Sequence, residues 1–268
     1  MGKYWQVIKL SLQDYFVYRT NFVLWRVRSF IFFLTLIFFW QAVFSGKQSL
    51  FGYGQDQMIA YVLGIAFLKA LVLGSRSFDE LPGMIRDGQL TKFLLKPVSI
   101  SKYFLSRDLL AKALDVSFSF VEIFLVVKLL NLDFYFPTNT STYFIFILVS
   151  LLSVILYFFI GLVVSAFGFW LEDVWATRWL FGIIFLEFLS GVYFPIDVLP
   201  RSLVKAINLT PFPYLVYYPL KVWNEASGVL EKTPLQIVLV MTFWVFVTCF
   251  LSGKIWQKGL KQYSAYGG

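Results

Sequence analysis

The stretch from Ser190 to Pro200 reads Ser-Gly-Val-Tyr-Phe-Pro-Ile-Asp-Val-Leu-Pro and interrupts a long apolar run. A proline lacks a backbone donor and clashes with the preceding helical turn, so a straight helix cannot pass through this stretch. Within a bilayer, broken backbone is tolerated only where protein or a water-filled cavity covers it. The stretch therefore predicts a re-entrant or interfacial element beside a path, and not a plain membrane anchor.

The composition of the whole chain indicates a membrane protein. Of its 268 residues, 59% are hydrophobic and 14% are charged, whereas soluble domains carry about 25% charged residues. The chain has no histidine and one cysteine, Cys249, which argues against zinc, haem and Ser-His-Asp sites and excludes a disulfide framework within one chain. We assign the net charge of +8 to basic residues that flank membrane spans and face anionic lipid, and not to nucleic-acid binding.

Six apolar segments predict an all-α membrane protein with six transmembrane helices, because each is close to the roughly 17–25 residues that cross the hydrocarbon core. The predicted spans are Val27–Phe44, Met58–Gly74, Leu109–Leu130, Tyr143–Trp170, Ala176–Tyr193 and Leu235–Ser252. Residues 1–22 repeat apolar side chains every three or four positions beside lysines, which predicts an N-terminal interfacial amphipathic helix. Its apolar positions are Trp5, Ile8, Leu12 and Phe16.

The distribution of Lys and Arg predicts the orientation of the chain. These residues concentrate in the N-terminal arm, the loop of residues 75–107, the short loop with Arg178 and the C-terminal tail. By the positive-inside rule, both termini and the loop of residues 75–107 are cytosolic, and residues 190–233 lie on the outer side. Aromatic residues of this outer segment are predicted to be anchors at the membrane–water interface, with a hydrophobic substrate surface as the alternative: Tyr214, Tyr217, Tyr218 and Trp223.

Four ionisable residues fall inside the predicted spans: Lys69, Asp115, Glu122 and Glu187. Charged groups are costly in lipid, so each should face the bundle interior, a cavity or a partner charge. One interpretation is a polar lining of a translocation path. The other is structural: Lys69 pairs with an acid, or residues near span ends reach the headgroups. The sequence leaves both open, although Glu187 lies one turn before Gly191 and the broken segment.

The predicted cytosolic loop contains a short apolar helix at Gln89–Leu95, which Pro97 would stop. Such an exposed element suits docking to a soluble partner, and it is equally compatible with a solvated loop. No phosphate-binding Gly-x-x-x-x-Gly-Lys-[Ser/Thr] motif and no His-Glu-x-x-His, Cys-x-x-Cys or Gly-x-Ser-x-Gly motif occurs in the chain. We therefore expect no enzymatic activity from the chain by itself, and no cofactor on it.

Two local patterns, in this order along the chain, resemble those of ABC-2 type transporter permeases, the membrane subunits of bacterial ATP-binding-cassette exporters. The first is Gly88-Gln-Leu90…Leu94-Leu-Lys96-Pro97, which resembles a cytosolic loop of one subfamily. The second is Gly191-Val-Tyr-Phe-Pro195…Leu-Pro200, which resembles the element that follows span five. The resemblance extends over essentially the whole chain, residues 1–268, as a single transmembrane domain.

The resemblance implies a coupling helix that docks on a separate ATPase subunit carrying ATP and Mg²⁺, with coupling residues Arg86, Asp87, Gly88, Leu90, Leu94 and Pro97. It implies a re-entrant helical hairpin near the outer face before the last span, with outer-gate residues Gly191, Phe194, Pro195 and Pro200. It further implies a second permease chain, identical or paralogous, export as the direction, and the bacterial cytoplasmic membrane as the location.

Two other functions remain compatible with the sequence. An ion-coupled secondary transporter would use Asp115, Glu122 and Glu187 as proton carriers. A non-transporting membrane scaffold would bind partners and move no substrate. The substrate class is not encoded in any motif of the chain, because fold does not fix function.

Overall fold

Helices form most of the chain in the computed structural model, which describes residues 2–74, 76–95, 98–132, 135–171, 179–224 and 232–263. The α-helices are α1 (Gly2–Val17), α2 (Arg19–Phe44), α3 (Gln55–Leu71), α4 (Arg76–Arg86), α5 (Thr91–Leu94), α6 (Ile100–Leu130), α7 (Thr140–Ala166), α8 (Arg201–Asn208), α9 (Tyr217–Trp223) and α10 (Pro234–Gln262). A short antiparallel hairpin pairs β1 (Ser49–Leu50) with β2 (Tyr53–Gly54). A π-helix spans Phe181–Phe188, and 3₁₀ turns lie at Phe167–Phe169, Ile196–Val198 and Phe212–Tyr214.

Within the described residues, three helical segments are long and apolar enough to cross a membrane: Arg19–Phe44, Thr140–Phe169 and Pro234–Gln262. They coincide with the first, fourth and sixth predicted spans. The second and third predicted spans correspond to α3 and α6, and the described part of the fifth is the π-helix with its flanking residues. The all-α class is confirmed, and the count of six spans stays a prediction.

The predicted N-terminal helix of residues 1–22 is divided at Tyr18 into α1 and the start of α2. α1 packs along α6, with Ser11 buried and the Ser99 amide donating to the Tyr4 hydroxyl at 3.4 Å. Its apolar positions Trp5 and Phe16 are exposed. A location at the membrane surface stays a prediction.

Two ends of the helix bundle matter for function. At the α4 end, α4 and α5 cover the C-terminal parts of α7 and α10, through buried or half-buried side chains such as Leu81, Leu90 and Trp256. At the hairpin end, the β1–β2 hairpin meets residues 190–223 through the Tyr53 hydroxyl and the Asp197 carboxylate. Between them, α7 and α10 run together, and α3 packs against α2 and α6.

Candidate functional site

The turn between α4 and α5 depends on Gly88, whose φ of +71° lies in the left-handed region that glycine adopts without strain. The Leu90 amide then donates to the Met84 carbonyl at 3.2 Å, which folds the chain back on α4. Leu90 is fully buried beside Leu81 and Phe104. The helix predicted at Gln89–Leu95 forms only as α5, because Gln89 and Leu90 belong to the turn.

The opposite side of this turn is a mixed surface of apolar and charged groups. Leu95 is 82% exposed and Leu94 is 48% exposed. Arg86 and Asp87 form an exposed ion pair at 2.9 Å. Of the predicted coupling residues, Leu90 is therefore a core residue, whereas Arg86, Asp87 and Leu94 lie at the surface. Pro97 lies outside the described residues.

A bidentate ion pair holds α4 against α6. The Arg107 guanidinium contacts both carboxylate oxygens of Glu80, with Nη2 at 3.0 Å from Oε1. Such paired contacts between guanidinium and carboxylate restrict orientation as well as distance. The exposed surface of residues 86–95, which we call the α4 surface, is thus carried by a helix held in place.

At the hairpin end, the chain bends sharply after the π-helix. Gly191 has φ +88°, and a Cβ there would lie 2.8 Å from the Tyr61 hydroxyl and 3.0 Å from the Tyr217 Cβ. The Tyr61 hydroxyl donates to the Gly191 carbonyl at 2.7 Å, and the Tyr217 amide donates to the Ser190 carbonyl at 2.9 Å. No side chain larger than hydrogen fits this position without displacement.

The predicted outer-gate residues differ in their surroundings. Gly191 and Pro195 are buried, Phe194 is half-buried, and Pro200 is exposed at the start of α8. The interruption of the helix is as the sequence predicts, and the segment continues through a 3₁₀ turn, α8 and α9. Its re-entrant course in a membrane stays a prediction.

A buried charge network, which the sequence did not reveal, fastens this segment. The Lys221 ammonium donates to Asp197 Oδ2 at 2.8 Å and to the Tyr217 hydroxyl at 2.7 Å. The Tyr53 hydroxyl donates to the same Asp197 oxygen at 2.8 Å. Burial, reinforced by the Asp197 carboxylate, raises the pKa of Tyr53 and of Tyr217, so both phenols stay protonated near neutral pH.

The prediction that four aromatic residues of the outer segment are interfacial anchors is wrong for its three tyrosines. Tyr214, Tyr217 and Tyr218 are almost completely buried in the protein, because α9 packs against α7 and α3 instead of lying at the surface. Trp223 is half-buried and contacts the rings of Tyr143 and Phe146.

Lys69 and Glu187 form an ion pair at 2.7 Å between α3 and the π-helix. The Tyr193 hydroxyl donates to the other Glu187 oxygen at 2.7 Å, and the Lys69 ammonium lies 4.3 Å above the Phe32 ring. This pair is the contact between Lys69 and an acid that the structural interpretation of the sequence expects. The two side chains are nevertheless 33% and 25% exposed in the single chain, and π-helical segments recur at functional sites.

Asp115 and Glu122 share one partner, Arg26 on α2, at 3.4 and 2.6 Å respectively. The sequence placed Arg26 only among the basic residues of the N-terminal arm, since nothing in it identifies which helices are neighbours. The four ionisable residues of the predicted spans therefore form two separate groups. Lys69 pairs with Glu187, whereas Asp115 and Glu122 both pair with Arg26. Whether they line a path stays a prediction.

Comparison with known families adds one match. The family model described as ABC-2 family transporter protein matches residues 30–267, almost the whole chain. The search of curated proteins found no match.

Proposed function

The chain belongs to the ABC-2 transporter family and is a membrane permease component of an ABC transporter; we propose that two such permease chains, identical or paralogous, form an export path driven by separate ATPase subunits. The observation that carries the proposal is the α4 surface, which presents exposed leucines beside an exposed ion pair on a rigidly held helix. ATP and Mg²⁺ would bind to the partner ATPase. In this proposal the α4 end faces the cytosol of a bacterial cell and the hairpin end faces outward.

The α4 surface suits an ATPase partner because its exposed apolar groups would bury area on docking, while Arg86 and Asp87 would supply orientation at the rim. Its residues 86–95 form a turn and one short helix, which can enter a groove. Leu90 contributes from beneath, since its burial against Leu81 supports the turn.

Co-purification tests this docking assignment. A tagged chain with Leu95→Asp is expected to lose the ATPase subunit that co-purifies with the wild type, because a charge replaces the most exposed apolar group of the surface. Leu209→Asp is the matched control, since Leu209 is a comparably exposed leucine at the hairpin end. Wild-type amounts of ATPase with Leu95→Asp would contradict the assignment.

The partly exposed Lys69–Glu187 pair supports a second permease chain. In lipid, a pair exposed to this degree would be costly, so another chain or a water-lined path should cover it. The flanking π-helix residues Ile184 and Phe188 are 46% and 41% exposed and apolar. We therefore place this face of the chain at the interface between permeases, beside the path.

Cross-linking tests the interface. In a Cys249→Ser background, Ile184→Cys is expected to give a cross-linked permease pair with a short bifunctional thiol reagent. Phe243→Cys, which is also exposed but lies on α10, is expected to give none. If both variants cross-link equally, the interface between permeases does not lie on this face of the chain.

Glu187→Gln is expected to lower the ATPase activity of the purified complex, and unchanged activity would show that Glu187 has no part in the path.

Family membership argues against the ion-coupled secondary transporter that the sequence left open. A transporter and a non-transporting scaffold differ in whether the permease chain changes the rate of ATP hydrolysis by the ATPase subunit. In a transporter we expect the permease chain to change this rate. An ATPase subunit that hydrolyses ATP at the same rate with and without the permease chain would favour the scaffold.

A further inference from the structure

Three carbonyls at the end of α3 are held by side chains from two other helices. The Lys112 ammonium on α6 donates to the carbonyls of Val72 at 2.8 Å and Gly74 at 2.6 Å. The Tyr157 hydroxyl on α7 donates to the Leu73 carbonyl at 2.7 Å. Val72 is the C-cap of α3 and residues 73 and 74 follow it, so these two side chains hold the backbone where the chain leaves the helix.

Lys112 is unusual in being a lysine with only 6% of its surface exposed. Its charge is compensated by the negative end of α3 and by the Tyr157 ring, whose centroid is 5.5 Å from Nζ. Asp108 and Asp115 lie four residues before and three residues after it on the same face of α6, and Asp108 is buried. An apolar side chain would fill the space and leave two carbonyls without a donor.

Residues 72–74 connect α3 to α4, the helix that carries the α4 surface. Gly74 also lies next to Asp115, whose Oδ2 would be 3.8 Å from a Cβ at that position. The Glu80–Arg107 pair thus attaches α4 to α6 directly, and Lys112 attaches to α6 the residues that precede α4.

The attachment continues beyond α6. Asp115, one turn after Lys112, pairs with Arg26 of α2, and Arg26 pairs with Glu122 two turns further along α6. Two sets of polar contacts on α6, one from Lys112 and one from Asp115 and Glu122, thus join the α3–α4 connection and α2 to the same helix, and both α6 and α2 extend towards the hairpin end. Polar contacts that share one helix are a physical basis on which two distant sites can be coupled.

We propose that Lys112 is a positioning residue that transmits ATPase-driven movement of α4 to α6 and α2, and so to the hairpin end. This inference rests on the proposed function, because it takes the α4 surface to be the docking site. Lys112 acts by holding the carbonyls of residues 72–74, and Tyr157 assists it.

Hydrogen–deuterium exchange of the purified complex of permease and co-purified ATPase, with and without ATP and vanadate, tests the inference. In the wild type, trapping the nucleotide should change exchange both in residues 76–95 and in residues 190–200. In Lys112→Met, the change in residues 76–95 should persist, while the change in residues 190–200 should fall about threefold or more. Lys102→Met, an exposed lysine on the same helix, is the matched control and should behave as wild type.

If Lys112 has only a structural role, Lys112→Met should raise exchange in the absence of nucleotide. The ratio of the nucleotide-dependent change in residues 190–200 to that in residues 76–95 should then be the same as in the wild type. An unchanged ratio in Lys112→Met would overturn the inference. If Lys112→Met does not assemble, Tyr157→Phe removes one hydroxyl without changing the packing, and it should give a smaller loss in the same direction. If no ATPase co-purifies, or if nucleotide leaves residues 76–95 of the wild type unchanged, the proposed function itself fails.

Discussion

Replacing Lys221 with methionine should loosen the hairpin end of the molecule. The Lys221 side chain is 3% exposed and its ammonium contacts Asp197 and Tyr217. Methionine is of similar length, so packing is largely kept while the charge is lost. The Asp197 carboxylate would then retain Tyr53 as a donor, with its second oxygen, Oδ1, already buried and without a hydrogen-bond partner among the described residues.

The size of the effect follows from the burial of the pair. Removing one member of a buried ion pair costs about 3–5 kcal/mol, because the remaining charge is left uncompensated. Asp197 is 16% exposed and keeps the Tyr53 contact, so we expect the lower value, about 3 kcal/mol. At 1.4 kcal/mol per factor of ten, this corresponds to an opening of residues 190–200 that is on the order of a hundredfold more frequent.

Hydrogen–deuterium exchange of the purified chain in lipid nanodiscs measures this opening directly. The informative amides are those of Val198, Leu199 and Tyr217, which donate to the carbonyls of Pro195, Ile196 and Ser190. Lys205→Met is the matched control, because Lys205 is an exposed lysine of α8. Lys221→Met combined with Asp197→Asn should recover most of the protection, since no charge is then buried alone and the asparagine oxygen can still accept from the Tyr53 hydroxyl.

Wild-type protection of these amides in Lys221→Met would refute the reasoning. So would an equal loss in Lys205→Met, because that loss would not depend on the buried pair. A loss in Lys221→Met that the second substitution fails to repair would show that methionine disturbs the packing of α9 and that the charge is not the cause.

Three further outcomes are expected. Gly191→Ala should lower stability by about 1–3 kcal/mol, because its φ is +88° and its Cβ would meet the Tyr61 hydroxyl; an unchanged melting temperature would contradict this. Gly259→Ala should cost about 1–3 kcal/mol, because its Cβ would overlap the Phe169 ring, and Phe169→Leu should restore part of the loss in the same thermal scan. Burial raises the pKa of Tyr214 to about 12 from 10.0, so its contribution to stability should be complete below pH 10 and lost between pH 10 and 12. Tyr214→Phe should reduce that loss in a pH series of denaturation curves, and an identical pH profile would count against it.

The helices that the sequence predicted well are those with an unbroken apolar pattern, such as α2, α7 and α10. The interruption at residues 190–200 was also predictable, because proline and the glycine conformation act locally. The π-helix left no sign in the sequence, since an apolar run has the same pattern whether its hydrogen bonds span four or five residues.

The contacts between distant residues could not be predicted from one sequence. In the sequence Lys221 is one more basic residue of the outer segment 190–233, and its burial depends on α9 lying against α7 and α3. Arg26 is separated from Asp115 by 89 positions and from Glu122 by 96, so only the packing of α2 on α6 reveals the partnership. The short helix predicted at Gln89–Leu95 is observed at Thr91–Leu94, but the burial of Leu90 could not be predicted, because it depends on Phe104, which belongs to another helix.

The hydrogen bond from the Tyr217 amide to the Ser190 carbonyl has an evolutionary consequence, because both groups belong to the main chain. Side chains at these two positions can change among descendants of this gene without removing the bond. Gly191 has no such freedom, because a side chain at this position would meet the Tyr61 hydroxyl. In natural variants we therefore expect Gly191 to be unchanged, whereas the residue at position 190 can vary without loss of this bond.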